Sequence, residues 1–376
     1  MVNALGIVSF TSPAIFVKGI SNYRPVAAFS YVGRYRLVDI PISNMTNSGI
    51  QNIHVYTNGN PKVLFDHIGS ARHYNINNKH GHIGIIPVMA DTLSSEFISD
   101  MEAYYTNLDQ IEDNVNDFVV IAPVNWIYKA NFSDLIQEHI ESKADLSILY
   151  SHYDETGMPS SNLLNANLLV TDNKGEFKGI KRYIGGPAKL DVSLDTYIMS
   201  KNKFIKLIKM AHDYSPLFWM TDMINTLAAQ NEIKVNKIPY SHPVFPILDL
   251  KSYYSSNMEM LKERNMAFFN DPNWPIYTRT NDSAPTIYLG EGTAQCALIS
   301  NGCEISGKVT ESILGRGVKV GARSIVSNCL ILPDAEIGEN VLLTNVIVDK
   351  DAHIIHKQEI TGYDEEPLYI GRRETV

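Results

Sequence analysis

The sequence predicts an α/β protein: a Rossmann-like domain with a mainly parallel, doubly wound sheet, followed by a parallel β-helix of hexapeptide repeats. Three observations carry this. Residues 117–153 read as strand, helix, strand, the βαβ unit that parallel sheets are built from. From about residue 288 the helical period disappears and short aliphatic strands recur between glycines and polar residues. Between the two textures lies "DPNWPIYTRTNDSAP", whose three prolines suit a linker better than a packed element.

The first strand is the apolar run that ends at Val8. "IQNIHVYT" (50–57) is a second strand, preceded by a short helix that stops at Gly49, a residue suited to the left-handed C′ position. "DFVVIAPV" (117–124) is apolar almost throughout, as a strand buried on both faces requires. "NFSDLIQEHIESK" then places Leu135, Ile136, His139 and Ile140 at helical spacing, and "ADLSILYSHY" returns to a strand. A further helix covers "SYYSSNMEMLKERNMAFFN". Beyond the linker, "ISGKV" (305–309), "VGARS" (320–324), "IGENV" (337–341) and "VDKDA" (348–352) repeat one template, an aliphatic residue, a polar interval and a small or aliphatic residue. Such repeats stack their aliphatic residues from coil to coil. The alternative, a β-sandwich, explains the glycine-initiated short strands less well. The acidic tail "YDEEPLY" (363–369) reads as a polar end cap. The domain boundaries expected are 1–262, a linker over 263–287, and 288–376.

Composition narrows the function classes. The 376 residues are 44% hydrophobic and 19% charged, which suits a two-domain globular protein. A net charge of -9 disfavours nucleic acid as the main partner, because phosphate backbones call for a basic face. No apolar run approaches the ~20 residues of a membrane span, and no secretory signal is read at the N-terminus. Cys296, Cys303 and Cys329 match no zinc spacing and read as reduced thiols, so a cytoplasmic location is expected.

"RPVAAFSYVGRYRLVDIPISNMTNSGI" (24–50), "IYKANF" (127–132), "SYYSSNMEML" (252–261) and "EGTAQCALISNGCEISGKVTESILGRGVKVG" (291–321) together resemble the sugar-nucleotide pyrophosphorylases, specifically the glucose-1-phosphate adenylyltransferase family. The resemblance spans nearly the whole chain. It implies a nucleotidyltransferase domain followed by a left-handed β-helix, and a reaction joining ATP to glucose 1-phosphate with release of pyrophosphate. Family membership by itself does not establish activity.

The resemblance also implies where the site should lie. Active members carry Gly-Gly-x-Gly-x-Arg around the triphosphate, where backbone N–H groups approach the phosphates and an arginine stabilises developing charge. Counting back from Pro25, those positions are Ser9, Phe10, Ser12 and Ala14; no Gly or Arg lies between Val8 and Lys18. The base-reading Gly-Thr-Ala-x-Ala corresponds to Ser99-Asp100-Met101-Glu102-Ala103. Of the two magnesium aspartates, one aligns with Asn125 and the other with Pro246, with Asp249 a candidate substitute three residues on. Mg²⁺ demands hard, charged oxygen ligands. The sugar-phosphate Glu-Lys-Pro aligns near Arg182-Tyr183-Ile184. No catalytic residue is therefore expected in this chain and no cofactor bound by it. The expectation is a non-catalytic regulatory subunit, resembling the impaired homologue that some bacteria pair with a catalytic subunit in a hetero-tetramer, Mg²⁺ being used by that partner.

Arg24, Arg34 and Arg36 lie near the segment where the resemblance places phosphorylated effectors, and arginine forks suit phosphate. The alternatives are solvated arginines, or Arg36 paired with Asp39. "HGH" (80–82) lacks a nearby carboxylate or third ligand, which disfavours a metal site, and His54 reads as an ordinary strand residue. Two other readings stay open. One is a weakly active nucleotidyltransferase using substitute ligands. The other is an acyltransferase, which needs a histidine between coils, whereas no His occurs from 243 to 352.

Overall fold

The computed structural model describes residues 3–76, 81–88, 98–154, 160–186 and 189–376. In chain order the first elements are β1 (Ala4–Ser9), β2 (Ser30–Tyr31), β3 (Tyr35–Arg36), α1 (Asp39–Asn47), β4 (Asn52–Asn58), α2 (Lys62–Ile68) and β5 (His82–Val88). They continue with α3 (Asp100–Tyr105), α4 (Leu108–Glu112), β6 (Phe118–Pro123), β7 (Trp126–Ile127), α5 (Phe132–Ser142), β8 (Leu146–Tyr153), β9 (Asn167–Thr171), β10 (Phe177–Arg182) and β11 (Leu190–Ser200). Then come α6 (Lys201–Tyr214), α7 (Met220–Ala229), β12 (Val235–Tyr240), β13 (Phe245–Pro246), α8 (Leu250–Glu259) and α9 (Glu263–Met266).

Packing divides the chain into two compact units. The first comprises Met1–Ile15, Pro25–Ala27 and Val38–Leu248; the second comprises Phe16–Arg24, Ala28–Leu37 and Asp249–Val376. Residues 271–286, the proline-rich stretch, form no helix or strand.

The first unit is built on a nine-stranded sheet with the path β10-β9-β11-β6-β1-β4-β5, to which β8 adds against β11 and β12 against β8. β1, β4, β5 and β6 run parallel. All six residues of β1 are buried, as a central strand covered on both faces must be. Helix α1 packs so closely on β1 that a Cβ at Gly6 would lie 2.6 Å from Met45 Sδ. At the other end of α1, Gly49 takes φ 82°, the left-handed turn that stops the helix. The expected strand–helix–strand over 117–153 forms as β6, α5 and β8, with Asn131 capping α5 through Ser133 N. One detail differs: β6 and β8 are not neighbours. β11 lies antiparallel between them, pairing Tyr197 with Ile121 on one edge and with Ile148 on the other. Its eleven residues supply enough backbone to serve two edges, and nothing in residues 117–153 announces that insertion.

In the second unit, three five-stranded parallel sheets run along the C-terminal region, an arrangement consistent with the left-handed β-helix. Their inward residues form ladders: Ile305–Val320–Ile337–Ile354, Val309–Val326–Leu343–Ile360 and Leu314–Ile331–Val348–Ile370. Three of the four template segments start on the first ladder. "VDKDA" does not: its Val348 belongs to the third, because every face of a coil repeats the same aliphatic–polar–small pattern. The tail is more than a cap. Leu368–Ile370 pairs with Val346–Val348 as the fifth strand of its sheet. Cys296, Cys303 and Cys329 are free thiols, and burial pushes Cys329 up to about 12.

Candidate functional site

The topology points to one place in the sheet. From β1 the chain moves outward to β4 and β5, then returns to the other side of β1 as β6. In open α/β sheets the crevice beyond the C-terminal ends of strands at such a reversal is where ligands bind. Here that crevice is bounded by the ends of β1 and β6, where Ser9 stands opposite Pro123. The residues beyond these ends are Phe10 to Ala14 on one side and Val124 to Trp126 on the other.

The segment after β1 is packed rather than open. Phe10 is 7% exposed and joins the cluster that holds Ile7, Tyr56, Met101 and Tyr104. Its ring meets Trp219 edge to face, centroids 5.7 Å apart. Ser9 and Thr11 are buried. Ser12 closes a tight turn, accepting from Ile15 N (2.9 Å), with Ala14 half-buried and Pro13 outside. Pro13 offers no N–H to a ligand.

Ser99 to Ala103 start α3. Ser99 caps it, its Oγ accepting from Glu102 N at 3.1 Å. Met101 and Ala103 point into the same cluster as Phe10. Asp100 accepts from Met220 N (2.9 Å) at the start of α7. Burial pushes its carboxyl up to about 7, against the N–H donors of Met220 and Met101.

Across the crevice, Asn125 is buried and accepts from Ile247 N through its carbonyl oxygen (2.8 Å). Its side-chain Nδ2 is buried with no hydrogen-bond partner among the described residues. β7 and β13 pair Trp126 with Pro246. Beside them Asp195, half-buried, takes φ 47° where the β11 register shifts. Its Oδ1 accepts from Asn167 Nδ2 (2.8 Å) and Ser193 Oγ (3.2 Å). The Trp126 indole N–H helps hold it down without completing a hydrogen bond. Burial outweighs these donors, so the carboxyl rests above its ordinary value. A left-handed backbone at a non-glycine residue costs about 1 kcal/mol or more, and no sequence signal marks Asp195 as a crevice residue.

The comparisons agree with this layout. Residues 17–158 match the nucleotidyl transferase family model, and residues 288–367 match the GlmU-like C-terminal hexapeptide model. The chain is similar to the glucose-1-phosphate adenylyltransferase of Halalkalibacterium halodurans, 28% identical over 80% of this chain and 77% of the relative. It is 26% identical to that of Fervidobacterium nodosum, over 94% of this chain and 84% of the relative. The Bacillus mycoides enzyme is 26% identical over 86% and 85%. These likenesses, which extend over most of the chain, are to sugar-phosphate nucleotidyltransferases.

Measured against what a sugar-phosphate nucleotidyltransferase needs, the crevice residues do not fit Mg²⁺. Asn125 presents a neutral amide with an unused N–H, and Pro246 has no side-chain donor atom. Asp249, the candidate substitute, caps α8: its carboxylate accepts from Ser252 N (2.8 Å) and Ser252 Oγ (2.7 Å). Arg182 is exposed at the end of β10, Tyr183 is buried, and Ile184 is 84% exposed. His80 lies outside the described residues. His82 is exposed, and the half-buried His54 is driven down to about 4 by burial and by His82.

The three arginines fare differently within the second unit. Arg24 is buried and ion-paired with Asp349, which is fully buried and also accepts from Tyr369 Oη (2.7 Å). Arg36, half-buried, donates to Ala28 O (2.8 Å) and Ser30 Oγ (2.9 Å) across the β2–β3 hairpin. Arg34 is exposed, its guanidinium 5.4 Å from the Tyr35 ring centroid. Of the three, Arg34 alone presents itself to solvent.

Among the described residues, no helix is long and apolar enough to cross a membrane.

Proposed function

We propose that this chain is a non-catalytic regulatory subunit of a glucose-1-phosphate adenylyltransferase, acting in bacterial glycogen biosynthesis in the cytoplasm. The observation that carries the proposal is Phe10. At the position where the reaction needs a glycine beside the triphosphate, a phenyl ring is locked into the core against Trp219. A neutral amide at Asn125 and a proline at 246 stand where two carboxylates would hold Mg²⁺. The fold persists while the groups that perform the chemistry do not, as expected of a protein kept for its contacts.

Its partner is then the catalytic subunit, in a hetero-tetramer, with Mg²⁺ used by that subunit. A partner acts by stabilising one conformation of the catalytic chain over another, and such coupling commonly amounts to ~1–3 kcal/mol, about 5- to 150-fold in an equilibrium constant. A phosphorylated effector would contact Arg34 first, since Arg24 and Arg36 already bond within the second unit. Co-expression with the catalytic subunit of the same organism, followed by gel filtration and kinetics, tests the proposal. A mixed oligomer with altered kcat, KM or effector response is expected; two separate species with the catalytic subunit's own kinetics would overturn it.

A second reading, weak nucleotidyl transfer with substitute ligands, draws on Asp195, a carboxylate at the same end of the sheet as Asn125. It requires measurable ADP-glucose synthesis by the purified chain alone.

A further inference from the structure

A second concave site lies at the opposite end of the first unit's sheet. There α1 ends, α5 passes over the sheet, Asn3 precedes β1 and Phe118 starts β6; together they leave a groove of about 580 Å³. That volume falls within the range of small-molecule sites, about 300–1,000 Å³. None of the described residues that line it is charged. That lining offers no cation to hold a phosphate or carboxylate, and the carboxylates next to it, on Asp117, Asp134 and Glu141, are each engaged by a lining amide.

Its chemistry is that of fixed amides beside apolar carbon. Asn131 is held at both ends, Oδ1 accepting from Ser133 N (3.1 Å) and Nδ2 donating to Asp134 (2.8 Å). Asn3 is held by Asn116 Nδ2 (3.0 Å) and by Asp117. Gln137 is oriented by Glu141 (2.8 Å). Each amide oxygen keeps a second lone pair for a ligand hydroxyl, and its orientation is settled before binding, which lowers the entropic cost. Between these amides lie the half-buried ring of Phe118 and the side chain of Ile140, 46% exposed. At one edge a Cβ added to Gly49 would meet nothing within 4 Å, so the space beside the end of α1 is open.

A ligand that matches this lining has no charge, hydroxyls around its rim and a C–H face. Sugar rings have all three. We propose that the groove between α1 and α5 is a binding site for a small neutral saccharide of one or two rings. It is distinct from the crevice beyond Ser9 and Pro123, because Asn3 and Phe118 stand at the other ends of the same two strands.

The test is isothermal titration of the full chain with maltose and with cellobiose, two neutral two-ring probes, and with glucose 1-phosphate as the charged control. Saturable binding of at least one disaccharide in the millimolar range is expected. Gly49→Asn keeps a residue tolerant of the left-handed backbone and fills the open edge; it should weaken binding by about tenfold or more. Ile140→Asp, on the exposed side of α5, removes the apolar contact and should do the same without disturbing the core. Asp195→Asn, in the opposite crevice, should leave binding unchanged. No saturation by either disaccharide would overturn the proposal. So would binding that survives both groove substitutions, or binding lost on Asp195→Asn alone.

Discussion

The ring of Phe10 meets the indole of Trp219 with centroids 5.7 Å apart and planes inclined by 65°. Edge-to-face geometry of this kind contributes about 0.5–1.5 kcal/mol beyond the burial itself. The contact joins the loop after β1 to the start of α7, so the loop has become part of the hydrophobic core.

Phe10→Gly should therefore destabilise the protein, by roughly 3–5 kcal/mol as large-to-small aromatic changes in cores do. It should not create activity, because the loop arginine and both metal carboxylates remain absent. Urea denaturation and an ADP-glucose synthesis assay on the same variant check both halves.

Asn125→Asp places one carboxylate in a buried position and leaves Pro246 opposite Trp126. Members of a catalytic unit act non-additively, so turnover should stay at background. The variant should also lose stability above the pKa of the new group, since an unpaired buried charge is costly. Robust turnover from this single change would show that the other defects matter little and would favour the weak-enzyme reading.

The Arg24–Asp349 pair predicts a contrast among the arginines. Arg24→Ala strands the fully buried Asp349 carboxylate, and breaking a buried pair on one side typically costs about 3–5 kcal/mol. Arg24→Ala combined with Asp349→Asn should recover part of that loss. Arg34→Ala, at the surface, should leave thermal stability nearly unchanged and blunt any effector response of the hetero-oligomer. Melting curves of the three variants separate these outcomes.

Asp100 and His54 should tilt the pH profile in opposite directions. The Asp100 carboxyl is raised to about 7, so the folded chain holds a proton that the unfolded chain has released; this contribution to stability is lost as pH rises from about 4 to 7. His54 is lowered to about 4, so the unfolded chain takes up a proton first, and stability is lost as pH falls from about 6.5 to 4. Asp100→Asn should leave a profile that climbs with pH, and His54→Gln one that declines. The changes should be on the order of 1–2 kcal/mol across the window, because both groups are only half-buried. Denaturation midpoints at pH 5, 6 and 7.5 measure the slopes.

Much of this protein is legible along the chain because the relevant signals are local. The inward ladder Val309–Val326–Leu343–Ile360 recurs at a constant interval of residues, since each coil of the stack must present its aliphatic side chain at the same place. The buried run of β6, the cap at Asn131 and the left-handed stop at Gly49 each follow from a few consecutive residues. The missing glycines after Val8 are equally local, and so is the proline at 246. Other features depend on partners that only folding brings together. Arg24 reads as a free phosphate ligand until Asp349, 325 residues away, neutralises it in a buried site. Phe10 reads as an obstruction; packing against Trp219 makes it a core residue. β11 separates β6 from β8 because sheet order is decided by long-range pairing, which the period of a single strand does not encode. Asp195 emerges as a crevice residue only where the β11 register shifts, and the groove at the starts of β1 and β6 exists only once the end of α1 and α5 are brought beside them. Local chemistry determined the elements and the loss of the phosphate loop; burial and long-range pairing decided which charged groups remained available to a ligand.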